Sequence, residues 1–211
     1  MTRLLTIGDS FTYGLELTDP GNKSWSALLA KKLNAEFINL SSGGASNQTM
    51  FRCCIEEILN SSEPFDLVVV GWTDPARFEI SKSGVPFSVN YSPTMLKLFP
   101  WLEQFYKYNQ SDELSYRQTL TMMIALQEFL KSKNQQYVFV STFGLQDLNQ
   151  QYKQKHRHLI AQIDKDNYLG WPSAGMVEWM GDCKKGAGGH PLDDGHQRIF
   201  EKIYEHVSSS R

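Results

Sequence analysis

Apolar residues along the chain alternate between short unbroken runs and longer stretches in which they recur three and four positions apart. Arg3 to Ile7 (RLLTI) is a short run rich in branched residues that stops at Gly8, as a buried strand does before a turn. Ser24 to Asn34 opens with a serine suited to cap a helix and spaces Trp25, Leu28, Leu29 and Leu33 along one face. Glu36 to Leu40 then predicts a second strand, and the small polar cluster SSGGASN a loop. Gln48 to Leu59 follows as a helix with Met50, Cys54, Ile58 and Leu59 inward. Asp66 to Gly71 (DLVVVG) is continuously apolar between a charge and a glycine, the signature of a parallel strand covered on both faces.

The alternation breaks from Pro75 to about Asp112, where four prolines stand and eight aromatic residues fall between Phe78 and Tyr108. This stretch reads as an insertion whose aromatics suit a satellite core, a dimer patch or stacking on sugar rings. Glu113 to Asn134 predicts a long helix burying Leu120, Ile124, Leu126, Phe129 and Leu130, and Tyr137 to Ser141 (YVFVS) a fourth strand. Gln150 to Asp164 reads as a polar helix, Tyr168 to Trp171 as a fifth short strand. Pro191 suits the first turn of a closing helix with Leu192, Ile199, Ile203 and Val207 on one face. Strands alternating with helices predict an α/β fold: a three-layer α/β/α sandwich around a doubly wound parallel sheet. One domain is expected over residues 1–211, with the insertion at about 75–112, and ligands outside the carboxyl ends of the strands.

Charge and composition narrow the function. The 211 residues carry 21 Lys+Arg against 23 Asp+Glu, a net −2, with no basic excess for a phosphate backbone or an anionic bilayer. Nucleic acid and membrane are therefore not expected partners. No apolar run approaches the roughly 20 residues of a spanning helix, and MTRLLTIGDS lacks the features of a signal peptide. A cytoplasmic location is the expectation. Cys53 and Cys54 are adjacent and Cys183 is distant, which suits neither a disulfide framework nor a zinc site. No metal or other cofactor is expected.

The candidate chemistry begins at Gly8-Asp9-Ser10, where the first strand hands over to a turn and the Ser10 hydroxyl reaches the carboxyl edge of the sheet. A serine there can be a nucleophile given a base within reach and backbone donors for an oxyanion; Asp and Ser are also ordinary helix caps. TIGDSFTYG resembles the first block of the GDSL/SGNH hydrolase family, whose nucleophilic serine lies in this tripeptide. NLSSGGASN is similar to the second block, with Gly44 the best match, and Gly43 the next, to the glycine whose N–H joins the oxyanion hole. Gly71-Trp72-Thr73-Asp74 is similar to the third, G-x-N-D, but has Thr73 where the oxyanion-binding asparagine belongs. GGHPLDDGHQRIFEKI is similar to the last block, D-x-x-H-P, which makes His190 the base and puts Ala187 in place of the usual aspartate. The literal D-x-x-H of the sequence runs from Asp193 to His196 and gives a second candidate histidine, one turn inside the closing helix.

The resemblance implies a flavodoxin-like SGNH hydrolase fold and a cofactor-free serine esterase, of O-acetylesterase type, acting on small-molecule or carbohydrate esters. Its phrasing is most similar to compact members encoded by tailed bacteriophages. Ser10, His190 and a relocated acid, Asp182 ahead of Glu178 or else a main-chain carbonyl, are the expected catalytic groups. Asp9, Gly44, Thr73 and Asp74 are expected at the oxyanion and substrate side. The departures at Ala187 and Thr73 also leave open a catalytically impaired descendant that binds a glycan or a protein. His156, His158 and His206, on polar stretches, are expected to be solvated.

Overall fold

The computed structural model describes residues 2–144 and 150–209, apart from the Lys82 side chain. Four parallel strands, β1 (Thr2–Gly8), β2 (Ala35–Asn39), β3 (Leu67–Trp72) and β6 (Tyr137–Ser141), form one sheet in the order β2-β1-β3-β6. Every residue of β3 and of β6 is buried, as their unbroken apolar runs require of strands covered on both faces. The first crossover runs through α1 (Ser10–Tyr13), α2 (Pro20–Lys23) and α3 (Trp25–Leu33). Ser24 caps α3, accepting the Ala27 N–H at 3.3 Å. Next come α4 (Asn47–Asn60) between β2 and β3, and α7 (Asp112–Ser132) before β6.

Helices cover both faces. On one, Leu120, Met123, Leu126 and Leu130 of α7 and Met50 and Cys54 of α4 pack against Leu5, Ile7, Val68, Val70 and Phe139. On the other, α3, α10 (Met176–Met180) and α11 (Asp193–Ser209) cover Leu4, Leu67, Val69 and Val140, with Ile199, Ile203 and Val207 of α11 fully engaged. Two expectations fail here. Tyr168 makes a single parallel bridge to Phe139 and continues into no strand, because a 3₁₀ turn at Lys165–Asn167 leads straight into it. Leu59, in the last turn of α4, is exposed, while its neighbour Ile58 packs against the core. The polar stretch after residue 150 is two short helices, α8 (Gln150–Lys155) and α9 (Arg157–Ile160).

The aromatic stretch folds as a hairpin, β4 (Phe78–Lys82) with β5 (Val85–Val89), followed by α5 (Pro93–Leu98) and α6 (Trp101–Asn109). Its aromatics make a satellite core around Phe78, Val89 and Leu102, in which Phe78 stacks on Phe105 at 4.5 Å. Ser88 ties the hairpin to the head of α4, accepting the Ser46 N–H at 2.8 Å. Among the described residues no helix is long and apolar enough to cross a membrane. The α7 face carries much of the packing, so Leu120→Ala, which empties a fully buried site, should lower unfolding free energy by about 2–5 kcal/mol. Urea denaturation of the variant checks this.

Candidate active site

The carboxyl edge of the sheet is organised by Asp9, which is fully buried. As the cap of α1 its Oδ1 accepts the Phe11 N–H at 3.0 Å. The same oxygen accepts the Thr142 hydroxyl at 3.0 Å, and Oδ2 accepts the Thr73 hydroxyl at 2.6 Å. One carboxylate thus joins the residues that follow β1, β3 and β6. Asn47, at the start of α4, fixes the Thr73 main chain from both sides: its Oδ1 accepts the Thr73 N–H at 2.8 Å and its Nδ2 donates to the Thr73 carbonyl at 3.1 Å. Arg77 approaches Asp9 Oδ2 and the Ala45 carbonyl, Nη1 lying 3.4 Å from each.

Ser10 is the first residue of α1 and 4% exposed. Among the described residues no protein acceptor takes its N–H or that of Gly44 in the loop after β2. Gly44 has φ +77°, a conformation that favours glycine, and a side chain there would meet nothing within 4 Å, so the loop presents its backbone to open space.

His190 arrives from the loop before α11, its ring 5.7 Å from that of Phe11, the residue after Ser10. Its Nδ1 lies 2.8 Å from Glu16 Oε2, and its main-chain N–H donates to the same oxygen at 3.1 Å. Glu16 Oε1 accepts the Gly188 N–H at 2.6 Å. These donors, Gly188 first, hold the Glu16 carboxyl below its ordinary range. Glu16 has φ +72°, which a non-glycine residue rarely adopts. The glycines of GAGGH make room for it, since a Cβ at Gly186 would stand 2.6 Å from the Glu16 carboxyl carbon. With Nδ1 held by a carboxylate, Nε2 is the nitrogen left to exchange a proton. In this structure the Ser10 hydroxyl makes no hydrogen bond to His190; such bonds are commonly loose before a substrate binds.

The expected acid is elsewhere. Asp182 has a side chain 94% exposed and pairs with Arg198 Nη1 at 2.9 Å. Glu178 closes the head of α10, accepting the Gly175 N–H at 2.6 Å. Ala187 is exposed. The carboxylate at His190 comes from the opposite end of the chain, and no spacing in the sequence pairs residues 16 and 190. Two further expectations change. Thr73 has its only hydroxyl proton on Asp9, so that hydroxyl is no oxyanion donor. Asp74 is exposed and caps a local turn, accepting the Ala76 N–H at 2.8 Å.

The second D-x-x-H histidine, His196, is fully buried inside α11, its Nδ1 accepting the Trp25 N–H at 3.2 Å and its Nε2 unpartnered. Burial pushes its pKa down to about 4. His156 is buried against Glu113, Nε2 to Oε1 3.2 Å, while His158 is exposed. A histidine neutral in the fold and titrating ordinarily when unfolded stabilises fully above pH 6.5 and progressively less down to about pH 4. Urea midpoints should therefore fall between pH 7 and pH 4.5, by the equivalent of about 2–3 kcal/mol for this group. His196→Asn should flatten that part of the profile.

Comparisons with known proteins agree with this architecture. No curated protein matches the chain. Among solved structures, TesA is 14% identical with TM-score 0.63, the match covering 99% of both chains. A lipolytic protein of the G-D-S-L family from Veillonella parvula is 14% identical with TM-score 0.57, over 97% of both. The esterase EstA from Pseudoalteromonas sp. is 13% identical with TM-score 0.59, covering all of this chain and 98% of that one. At such identities the likeness shows the fold, which is that of the GDSL/SGNH hydrolases. A family model described as a family of unknown function, DUF6071, matches residues 16–210. The chain belongs to that family, built on a GDSL/SGNH-type α/β sheet.

Proposed function

We propose that this protein is a serine ester hydrolase in which Ser10 is the nucleophile, His190 the base and Glu16 the carboxylate that orients it. The observation that carries the reading is the Glu16–His190 pair at 2.8 Å, with the imidazole ring 5.7 Å from that of Phe11, the residue after the strand-end serine. An ion pair at the surface is of small value to stability, whereas a carboxylate on the second ring nitrogen is what a histidine base needs. Solved neighbours include an acetyl xylan esterase from Butyrivibrio proteoclasticus, 17% identical with TM-score 0.56, covering 99% of this chain and 64% of that one. A small-molecule or carbohydrate ester, an O-acetyl ester first, is the substrate class we infer.

In this mechanism the Ser10 oxygen attacks the acyl carbon while His190 Nε2 takes the hydroxyl proton. The carbonyl oxygen becomes an oxyanion against the Ser10 and Gly44 N–H groups. Glu16 holds the Nδ1 proton and stabilises the imidazolium. As the tetrahedral intermediate collapses, the ester C–O bond breaks and the alcohol leaves with the proton from Nε2. Water then attacks the acyl-serine, giving its proton to His190, and the acid and Ser10 are released. Phe11, Phe143 and Leu15 give the approach an apolar lining: the Phe11 and Phe143 rings stand 6.1 Å apart, and a methyl at Gly43 would touch Leu15 at 3.7 Å.

The hydroxyl of Thr73 turned onto Asp9 favours one rival, an impaired relative that only binds a glycan or a protein. Hydrolysis of p-nitrophenyl acetate separates the two. Ser10→Ala should abolish turnover, and Glu16→Gln should lower kcat by about 10²–10⁴-fold with the fold intact, as neutralising a triad carboxylate does. Asp182→Asn should leave the rate within about twofold, a surface pair contributing little. Turnover absent in the unmodified protein would favour the binding reading, and turnover unchanged in Ser10→Ala would show that the chemistry lies elsewhere.

A further inference from the structure

We infer that Arg77 supplies the side-chain donor of the oxyanion hole, in the place left by Thr73; the inference rests on the hydrolase reading above. Two backbone N–H groups, of Ser10 and Gly44, leave a developing negative charge with no side-chain partner. Thr73 cannot serve, because a hydroxyl has one proton and its proton lies on Asp9 Oδ2 at 2.6 Å. The guanidinium of Arg77 occupies the same corner. It reaches the very Asp9 oxygen that Thr73 uses, and it reaches the carbonyl of Ala45. Asp9 is the neighbour of Ser10 in the chain, and Ala45 is the neighbour of Gly44. One cationic group therefore touches the side chain next to Ser10 and the main chain next to Gly44, and shares the Asp9 oxygen with the residue that replaces the asparagine.

The alternative, that Arg77 only neutralises Asp9, does not fit the distances. Charge-assisted N–H···O⁻ bonds close to about 2.7–2.9 Å, whereas both contacts of Nη1 are 3.4 Å. Asp9 is already served by the Phe11 N–H and the Thr142 and Thr73 hydroxyls at 3.0, 3.0 and 2.6 Å. Among the described residues Nε and Nη2 of Arg77 take no acceptor, and the side chain is only 14% exposed. A mostly buried side chain whose guanidinium keeps donors off any protein acceptor can give them to an oxygen that arrives later.

Its position is set locally. The turn after β3 closes with the Arg77 N–H on the Asp74 carbonyl at 3.2 Å, and Phe78, the next residue, is anchored in the satellite core. The hairpin insertion thus fixes the arginine from one side as Asp9 attracts it from the other. The charge on Asp9 keeps the cation at the site while the loose contacts leave it free to close on the oxyanion.

The test is Arg77→Met and Arg77→Lys, assayed for kcat and KM on a neutral acetate ester and on a hemisuccinate ester, with Ser10→Ala as the baseline. Arg77→Met should lose about 10²–10³-fold in kcat on both esters with KM within a few-fold, the size of one lost oxyanion donor. Millimolar guanidinium chloride should restore part of that rate, which a structural defect would not allow. Arg77→Lys, which keeps a charge against Asp9, should fold like the parent and still lose at least about tenfold in kcat, since an ammonium lacks the planar fork. Full activity in either variant overturns the inference, as does a rise in KM confined to the hemisuccinate, which would make Arg77 a clamp for a substrate anion. If Arg77→Met does not fold, the Arg77→Lys result decides. In all these outcomes Ser10-dependent turnover by the unmodified protein leaves the hydrolase reading standing; without that turnover the hydrolase reading itself fails.

Discussion

A carboxylate with no exposure to water, Asp9, holds the working edge of this protein together. An ionised group in that position is tolerated only if its oxygens are fully hydrogen-bonded, and breaking such a set costs about 3–5 kcal/mol. Its partners come from the residue two positions ahead on α1 and from the threonines that end β3 and β6. Three elements far apart in the chain are thereby brought to one point, and Ser10, next to Asp9, inherits a fixed position. Asn47 adds the head of α4 to the same knot through the Thr73 main chain. The nucleophile candidate stands on a rigid polar frame, with the loops that carry Gly44 and His190 arranged around it.

Within the proposed site the carboxylate at His190 does not stand at Ala187, where the family resemblance would put it. It is Glu16, 174 residues upstream on a loop leaving α1, which reaches the imidazole with strained backbone and a cradle of glycines. Strain of that kind costs of order 1–3 kcal/mol and persists where the surroundings over-determine it; here the Gly188 and His190 N–H groups do so. The exposed Ala187 shows why the swap is sterically simple. The Gly-rich loop before His190 needs no acidic side chain of its own when one arrives from the facing loop.

Much of the fold was legible in the sequence, because β1, β3 and β6 are unbroken apolar runs and α3, α7 and α11 show clean helical periodicity. Legibility failed where one contact decided the outcome. Tyr168 has strand-like neighbours but pairs at a single bridge. His156 lies in a polar run yet is buried, its ring packed near Tyr116 and paired with Glu113. At the proposed site, Ser10, Gly44 and His190 stand in local motifs at strand ends and before the last helix. Glu16 stands in no such motif, since its contact with His190 joins the two ends of the chain. Thr142 carried one usable signal, its place just beyond the carboxyl end of a buried strand. Asp182 is close to His190 in sequence, but its side chain pairs with Arg198 of α11.

The central claim is that Ser10, His190 and Glu16 act as one unit at the edge of the sheet. A crystal structure of the protein after reaction with a fluorophosphonate tests it most directly. The expected result is phosphorus bonded to Ser10 Oγ, its phosphoryl oxygen on the Ser10 and Gly44 N–H groups, and His190 Nε2 within hydrogen-bond reach of the adduct while Nδ1 stays on Glu16. An adduct on another residue, no adduct at all, or a His190 whose Nδ1 has left Glu16 would contradict it.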